Sequence, residues 1–395
     1  MAITASTPAL PGVTSASHPR VMTQRIPWYI WCAVLAVTSA LIGAHWDISW
    51  HRSIGRDTFW TPAHIAIQMC GVLAGVAFGY LILYTTFSDS APLARASVHI
   101  FGFRAPLGAF IASWGGIAML TSAPFDNWWH NAYGLDVKIV SPPHMVLILG
   151  IYAVLLGTVV LLAGHINRLN PAERTASRYL LLYCYGVALT MSLVVLMEYT
   201  LLPYLHGSLA YIVMCLPVPL ILAIASRATN FKFAATGAAA LYTFILIPLI
   251  LILPLFPAEP KLGPVFHPVT QFIPPQFPVL LIVPAFLLDL FWKRARTWNP
   301  WKLAAVSGVI FVASLLAVEW PFADFLNSPA AHNRFFGSMY HGYDTPPDSN
   351  AARNLFLITE TTAQFWQGIL LATVIAAVTF RFGISRGNWL RKVKR

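Results

Sequence analysis

Long apolar runs separated by short polar segments dominate the hydrophobic pattern of this chain. Most of the runs extend over about 20 residues, the length that an α-helix needs to cross the ~30 Å hydrocarbon core of a bilayer. The pattern therefore predicts an all-α fold, a polytopic membrane helix bundle with about ten transmembrane helices. The predicted spans are residues 26–46, 62–87, 105–125, 143–164, 178–200, 208–226, 233–256, 277–292, 302–320 and 361–382.

The composition agrees with a membrane protein and excludes a water-soluble one. Of the 395 residues, 57% are hydrophobic and only 10% are charged, and the mean hydropathy is +0.66. A soluble domain has roughly 25% charged residues, so this chain cannot cover itself with a solvated surface. The predicted spans use most of the length and leave no room for a sizeable soluble domain.

The chain divides into four regions along this series of spans. A lead rich in Ala, Ser, Thr and Pro is predicted to be disordered, and a region of duplicated helical hairpins follows it. Further transmembrane helices and a basic cytoplasmic tail complete the chain. The predicted limits of the four regions are residues 1–24, 25–165, 166–382 and 383–395.

The charges give the predicted orientation in the membrane. The net charge is +11, and 19 of the 25 Lys and Arg residues lie at the termini or in alternate loops on one side. By the positive-inside rule, that side is cytoplasmic and both termini lie there. Eleven of the 14 acidic residues and nine of the 12 histidines belong to the opposite, outer side. The positive charge therefore reflects orientation in the membrane and does not indicate a nucleic-acid partner.

Two of the predicted outer loops carry the same sequence pattern. Each copy has Asp, a His four positions later, then Gly, Asp and Pro, and a final His at the start of the next apolar run. The second copy has one additional residue before its Pro. This is an internal repeat of a helix–loop–helix unit. The corresponding pairs are Asp47 and Asp126, His51 and His130, Gly55 and Gly134, Asp57 and Asp136, Pro62 and Pro142, and His64 and His144.

The spacing brings three metal-binding side chains of each copy towards one point. Asp and His at positions i and i+4 project from the same helix face. The turn that follows, with its Gly and Pro, returns the second His towards them. Two imidazoles and one carboxylate suit Fe(II), Cu or Zn and leave coordination positions open. The predicted metal ligands are Asp47, His51 and His64 in one copy, and Asp126, His130 and His144 in the other.

The second acidic residue of each copy is predicted to support the site without binding the ion. Asp57 and Asp136 lie in the turns, where a carboxylate can orient a ligand His or cap the following helix. The alternative to metal binding is that these Asp and His residues are hydrogen-bonded partners at the membrane interface. Duplication of the whole pattern favours metal sites, because polar residues at span ends are costly unless they are used.

Other acidic residues and histidines of the outer side are weaker candidates, because none of them repeats this spacing. They are predicted to line the same vestibule as the two repeats. The candidates for additional ligands are Glu198, His206, His267, His332 and His341, with Glu259, Glu319, Asp324, Asp344, Asp348 and Glu360 in the same outer segments.

The series Asp47-x3-His51-x12-His64 and Asp126-x3-His130-x13-His144 resembles the C subunit of the copper-containing particulate methane and ammonia monooxygenases. In that family an Asp/His/His copper site has the first spacing, and a neighbouring Asn/His/His site has the second. The two sets of this chain correspond to these sites in the same order, with Asp126 in the place of Asn. The resemblance covers residues 25–165; the later spans have no counterpart in it.

The resemblance implies a copper-dependent protein of the bacterial inner membrane, related to enzymes that use oxygen to hydroxylate small apolar or reduced substrates. It also implies companion membrane subunits and a soluble copper-binding or electron-donor protein as partners, besides the lipid bilayer. A carboxylate at position 126 makes the second site more anionic and suits a harder metal, so iron and zinc are alternatives to copper.

The leading hypothesis is therefore a membrane oxidoreductase, a copper-dependent monooxygenase or a subunit of one, with metal sites towards the periplasmic side. A metal or solute transporter, or another metal-handling protein, is the alternative in which the sites bind an ion in transit. Against transport, the ligands lie near the outer interface instead of the midplane, and the nine methionines form no regular ladder. A zinc-dependent membrane hydrolase and a scaffold held by Asp–His hydrogen bonds are the remaining alternatives.

Overall fold

The computed structural model describes residues 26–55, 60–88, 93–134, 141–350, 352–353 and 360–394. Within them the chain forms a bundle of α-helices and one short hairpin of strands, β1 (Val98–Ile100) and β2 (Phe103–Ala105). The helices are α1 (Trp28–Ser53), α2 (Pro62–Phe87), α3 (Leu107–Tyr133), α4 (Pro142–Arg168), α5 (Arg174–Val195), α6 (Met197–Thr200), α7 (Ser208–Met214), α8 (Val218–Thr229), α9 (Ala234–Ile252), α10 (Ile282–Arg294), α11 (Pro300–Leu326) and α12 (Thr362–Leu390).

Nine helical segments among the described residues are long and apolar enough to cross a membrane. They correspond to nine of the predicted spans, and the all-α polytopic fold is confirmed. One of them, Ser208–Thr229, combines α7 and α8. Large apolar side chains such as Leu35, Val76 and Leu149 are exposed on the outside of the bundle. These are the surfaces that contact lipid in a multi-pass membrane protein.

The structure differs from the prediction at residues 277–292. Helix α10 has 13 residues, which at 1.5 Å per residue gives a length of about 20 Å, too short for the hydrocarbon core. The chain between α9 and α10 is almost entirely non-helical. Proline explains this, because each one removes a backbone donor and blocks the preceding turn of helix. The prolines of this segment are Pro254, Pro257, Pro260, Pro264, Pro268, Pro274, Pro275 and Pro278.

Helix α10 nevertheless returns the chain to the end of the bundle where α9 begins. Asp289, in the second half of α10, accepts a hydrogen bond from the backbone N–H of Thr236 at 2.8 Å and from the Thr236 hydroxyl at 2.7 Å. Thr236 lies in the first turn of α9, so the two helices run antiparallel. The non-helical segment after α9 and the short helix α10 together therefore bring the chain back through the bundle.

The two repeat copies form two antiparallel hairpins, α1 with α2 and α3 with α4. Helix α2 packs against α3, and α1 packs against α4, so the four helices form one group. Each hairpin has its repeat loop at the end where its first helix finishes and its second begins. The loops that carry the predicted ligands therefore lie at the same end of the bundle.

Glycines allow α3 and α4 to approach closely. A Cβ atom added at Gly157 would lie 2.5 Å from the carbonyl oxygen of Gly108 and 2.6 Å from the backbone nitrogen of Ala112. A Cβ at Gly115 would lie 2.6 Å from the carbonyl oxygen of Gly150. Small residues at such crossings are a usual way for membrane helices to pack backbone against backbone. These contacts hold the first part of α3 against the middle of α4.

Two of the four predicted regions, the lead and the basic tail, lie at the ends of the chain. The disordered lead at residues 1–24 lies outside the described residues. The basic tail begins within α12, which continues to Leu390. The Asn167 side chain, near the end of α4, donates hydrogen bonds to the carbonyl oxygens of Leu390 at 2.8 Å and Val393 at 2.7 Å. The first part of the tail is thus fixed against the hairpin that carries the second repeat copy.

We expect Gly157→Leu to destabilise the protein, because the new side chain meets the α3 backbone; overpacking of this kind costs typically about 1–3 kcal/mol or more. The measurement is the apparent unfolding temperature of the detergent-purified protein, followed with a thiol-reactive fluorophore at the buried Cys70, Cys184 and Cys215. Gly75→Leu is the matched control, since a Cβ added at Gly75 meets nothing within 4 Å. Equal unfolding temperatures for the two variants would contradict the close packing of α3 and α4.

Candidate metal centres

The first cluster consists of Asp47, His51 and His64. Asp47 and His51 lie one turn apart near the end of α1, and His64 is the third residue of α2. The His64 Nε2 atom lies 3.1 Å from Asp47 Oδ1, and the His51 Nε2 atom lies 3.8 Å from Asp47 Oδ2. Thr61 caps α2 by accepting a hydrogen bond from the His64 N–H at 3.1 Å, and Pro62 occupies the first helical position. The start of α2, and with it His64, is therefore fixed locally.

The second cluster repeats this arrangement with Asp126, His130 and His144. Asp126 and His130 lie near the end of α3, and His144 is the third residue of α4. The Nε2 atoms of His130 and His144 lie 3.2 Å and 3.4 Å from the same carboxylate oxygen, Asp126 Oδ1. Asp126 and His130 are buried, whereas the first cluster is half-buried throughout. The second cluster is thus the more enclosed of the two.

The distances within each cluster suit a single metal ion. Each residue offers one ligand atom, and the three atoms of a cluster lie within 4.8 Å of one another. Ligands on one Zn or Cu ion lie about 2.0–2.2 Å from it, which places them about 3 to 4 Å apart. Among the described residues, these are the two groups in which at least three His, Cys, Asp or Glu side chains come this close together. Each repeat copy thus brings its three predicted residues close together, and their role as metal ligands stays a prediction.

A backbone contact orients one of the imidazoles. The His130 Nδ1 atom lies 3.1 Å from the carbonyl oxygen of Gly134. A proton on Nδ1 donated to this oxygen leaves the Nε2 lone pair for a metal ion, as is usual for histidine ligands. Gly134 ends α3 with a φ of +99°, and the corresponding Gly55 follows α1 with a φ of +84°. The positive φ explains why both copies have glycine at this position.

The predicted supporting residues, Asp57 and Asp136, lie outside the described residues. Their roles in orienting a ligand or capping a helix stay predictions.

Both clusters border one large cavity. The cavity has a volume of about 750 Å³, and its walls include His51 from the first cluster and His144 from the second. His144 is also close enough for its charge to act on Asp47. The other ionisable groups on the wall are Arg52, Glu198, Glu319, His341 and Asp344. A cavity is therefore present beside the two repeat copies, and Glu198, Glu319, His341 and Asp344 line it.

A smaller cavity of about 80 Å³ adjoins the large one and shares part of its wall. Apolar side chains predominate on this wall, among them Leu193, Val194, Leu246 and Phe277. It offers space for a small apolar group beside the polar cavity.

The other weaker candidates lie away from the cavity wall. Glu360 accepts hydrogen bonds from the backbone N–H and the hydroxyl of Ser208, at 3.0 Å and 2.7 Å, and so caps α7. Glu259, His332 and Asp348 are exposed. The His267 ring lies beside the His341 ring, with 5.7 Å between the ring centres. None of these five residues (Glu259, His267, His332, Asp348 and Glu360) joins either of the two clusters.

His206 and Asp324 form a separate pair. The His206 Nε2 atom lies 2.9 Å from Asp324 Oδ1, and the ring packs edge-on against Trp320 at 4.3 Å between centres. His206 is only 4% exposed. Burial lowers the pKa of His206, and the Asp324 carboxylate opposes part of that decrease. The predicted involvement of His206 in metal binding finds no support in this position.

Arg52 is the cavity residue that the sequence reasoning missed. Its Nη2 atom donates to the carbonyl oxygen of Tyr340 at 3.3 Å, and its own carbonyl oxygen accepts from the N–H of Tyr343 at 3.3 Å. Arg52 thus joins the end of α1 to residues 340–343, which precede α12. A signal was available, since Arg52 is one of only six cationic residues predicted on the outer side. Burial together with repulsion from His267, Arg52 and His332 lowers the pKa of His341 on the same wall.

No family model matches the sequence, and no curated protein or solved structure is significantly similar to the chain. The resemblance to the monooxygenase C subunit therefore depends on the residues of the two repeat copies alone.

We expect the pH dependence of stability to reveal the buried His206. Because its pKa is lower in the folded than in the unfolded chain, unfolding takes up a proton, and stability decreases as the pH falls below about 6.5. The apparent unfolding temperature should therefore fall between about pH 7 and about pH 5, and this decrease should be smaller in His206→Gln. The exposed His332, changed to Gln, is the control. An unchanged pH profile in His206→Gln would contradict the expected protonation on unfolding.

Proposed function

We propose that this protein is a membrane metalloenzyme that binds copper at its two Asp/His/His clusters and oxidises a small apolar or reduced substrate with oxygen. The observation that carries the proposal is the pair of matching clusters on the wall of one cavity. A structural role would require only that Asp and His form local hydrogen bonds. It would not require three ligand atoms to converge twice beside a shared space.

The donor set fits copper. Imidazole nitrogens suit Cu, Zn and Fe, and two of them with one carboxylate leave positions open for other ligands. The chemistry that copper supplies when bound is one-electron exchange with oxygen and a reductant. Iron is an alternative at the second cluster, because Asp126 stands where the resembling family has Asn.

Contacts within the protein position the ligand side chains of the second, more enclosed cluster. The Asp126 carboxylate contacts both imidazoles and offsets the charge of a cation. The contact between His130 Nδ1 and Gly134 fixes the ring so that Nε2 points towards the carboxylate. Ligands held in this way lose little freedom when an ion binds, which raises the affinity of the site.

We assign Glu319 to proton transfer in the cavity. Its Oε2 atom accepts a hydrogen bond from the N–H of Leu280 at 3.0 Å, and the residue is only 1% exposed. It lines the cavity, and no salt bridge found among the described residues includes it. An enclosed carboxyl group of this kind can hold a proton and release it to a reaction that consumes protons, as oxygen reduction does.

The resemblance extends the proposal to the cellular setting. It favours the bacterial inner membrane, with both termini in the cytoplasm and the clusters towards the periplasm. Companion membrane subunits and a soluble copper or electron-donor protein are the partners that such a role requires. The charge distribution supports the orientation, since the cations predominate on the side opposite the clusters.

A zinc-dependent hydrolase is the second candidate function. The carboxylates of Glu198 and Glu319 lie on the same cavity wall as His144. One of them can serve as the base that activates a metal-bound water in hydrolysis. The two functions differ in their requirements, because only the oxidation consumes oxygen and a reductant.

Elemental analysis of the detergent-purified protein tests the proposal. We expect up to two copper ions per chain at the two clusters, and we expect His51→Ala with His130→Ala to lose these ions, because each substitution removes an imidazole from one cluster. His99→Ala is the control, since His99 is exposed on the strand hairpin. Equal metal contents in the double variant and the wild type would overturn the proposed sites.

Oxygen uptake separates the two candidate functions. The copper-loaded wild type should consume oxygen when a reductant is added, and the double variant should not. Zinc as the retained metal, without oxygen uptake, would replace the oxidase proposal with the hydrolase.

A further inference from the structure

We propose that His267 and His341 form an additional metal site, which binds one copper(I) ion at the cavity wall. Neither residue belongs to the two Asp/His/His clusters. Binding of an ion by this pair does not depend on the oxidation proposed above, whereas its role as a source of copper for the Asp47 cluster rests on the proposed copper binding there.

The separation of the two rings fits ligands on one ion. Their centres lie 5.7 Å apart and their planes are tilted by 38°. With metal–nitrogen distances of about 2.0–2.1 Å, two imidazoles on one ion have ring centres within roughly 6.4 Å of each other. The rings of His130 and His144, which share a carboxylate oxygen in the second cluster, are farther apart, at 6.2 Å. The rings of His267 and His341 therefore have to move no farther than the rings of the second cluster to bind one ion.

A buried ring nitrogen is the second observation. The Nε2 atom of His267 is shielded from solvent and has no hydrogen-bond partner among the described residues. Leaving such an atom unsatisfied is costly, so native structures rarely do it without a reason. A metal ion between the rings satisfies this atom.

Main-chain hydrogen bonds join the segment that contains His267 to the segment that follows His341. The N–H groups of Phe266 and His267 donate to the carbonyl oxygen of Tyr343, at 2.8 Å and 3.1 Å. The N–H of Tyr343 in turn donates to the carbonyl oxygen of Arg52 at 3.3 Å. The two loops are therefore joined to each other and to the end of α1, which carries His51. The site is organised before any ion binds.

The charges around the pair favour a monovalent ion. Arg52 and His332 both lie close enough to act electrostatically on His341, and the Asp344 carboxylate, which acts on Arg52, offsets part of this positive charge. The repulsion from a guanidinium is twice as large for a divalent as for a monovalent cation at the same distance. Two neutral imidazoles suit copper, and copper(I) accepts two ligands where zinc requires about four.

The position suggests what the site does. His341 and His51 line the same cavity, so an ion held at the His267–His341 pair has a direct path to the first cluster. The pair therefore provides a holding site for copper on its way to the Asp47 cluster.

The test uses the full chain with both clusters removed by His51→Ala, His64→Ala, His130→Ala and His144→Ala. Copper(I) is titrated anaerobically in competition with a chromophoric copper(I) chelator. We expect one ion per chain to remain bound, and we expect it to be lost when His267→Ala and His341→Ala are added. Adding His99→Ala instead is the matched control and should leave the bound ion in place. No copper(I) bound to the cluster-free chain, or binding that survives removal of the pair, would overturn the proposal.

A second measurement applies if the variant that lacks both clusters does not fold. In the otherwise wild-type protein, His267→Ala with His341→Ala should lower the copper(I) content by one ion per chain and leave the copper of the two clusters unchanged. An unchanged total would count against the site. Zinc bound more tightly than copper(I) by the same pair would overturn its assignment to a monovalent ion.

Discussion

A chain inside a bilayer must satisfy its own backbone N–H and C=O groups, and this protein departs from the helix where side chains can perform that task. The N–H of Val279 donates to the Tyr242 hydroxyl, and the N–H of Leu280 donates to Glu319, each at 3.0 Å. The N–H of Ile273 donates to the Ser53 hydroxyl at 2.8 Å, and the Ser49 hydroxyl donates to the Ile273 carbonyl oxygen. These contacts allow a non-helical segment to lie against the bundle, where its side chains form part of the cavity wall.

The sequence was sufficient for the features that depend on local physics. Span lengths follow from hydropathy, so nine predicted spans recur as long helices. The clusters follow from helix periodicity and turn chemistry. Asp126 and His130 share a helix face because they are four residues apart, and Pro142 begins the next helix close enough to bring His144 back. The repeat made this prediction more secure, since the same local rules had to hold in both copies.

Tertiary contacts determine what the sequence could not predict. Hydropathy averages over the prolines of residues 256–281, so it records an apolar run where the missing N–H groups prevent a full-length helix. The loops that carry His267 and His341 have no periodic pattern, and their meeting depends on backbone hydrogen bonds to Tyr343 and Arg52. The shared cavity likewise depends on how the later helices pack around the two hairpins. Spacing alone could not separate His341, which lines the cavity, from His206, which pairs with Asp324.

The two clusters have the same ligands and differ in their access to solution. In the first cluster the His51 side chain is 39% exposed, whereas in the second the His130 side chain is 4% exposed and that of Asp126 is 10% exposed. Burial of a carboxylate is costly, so the second cluster gains more from a bound cation than the first. Under the proposed function, an ion in the first cluster would exchange more readily with the cavity, because its ligands are more accessible. The two copies would then differ in role, the first favouring exchange and the second retention, on the wall of the same cavity.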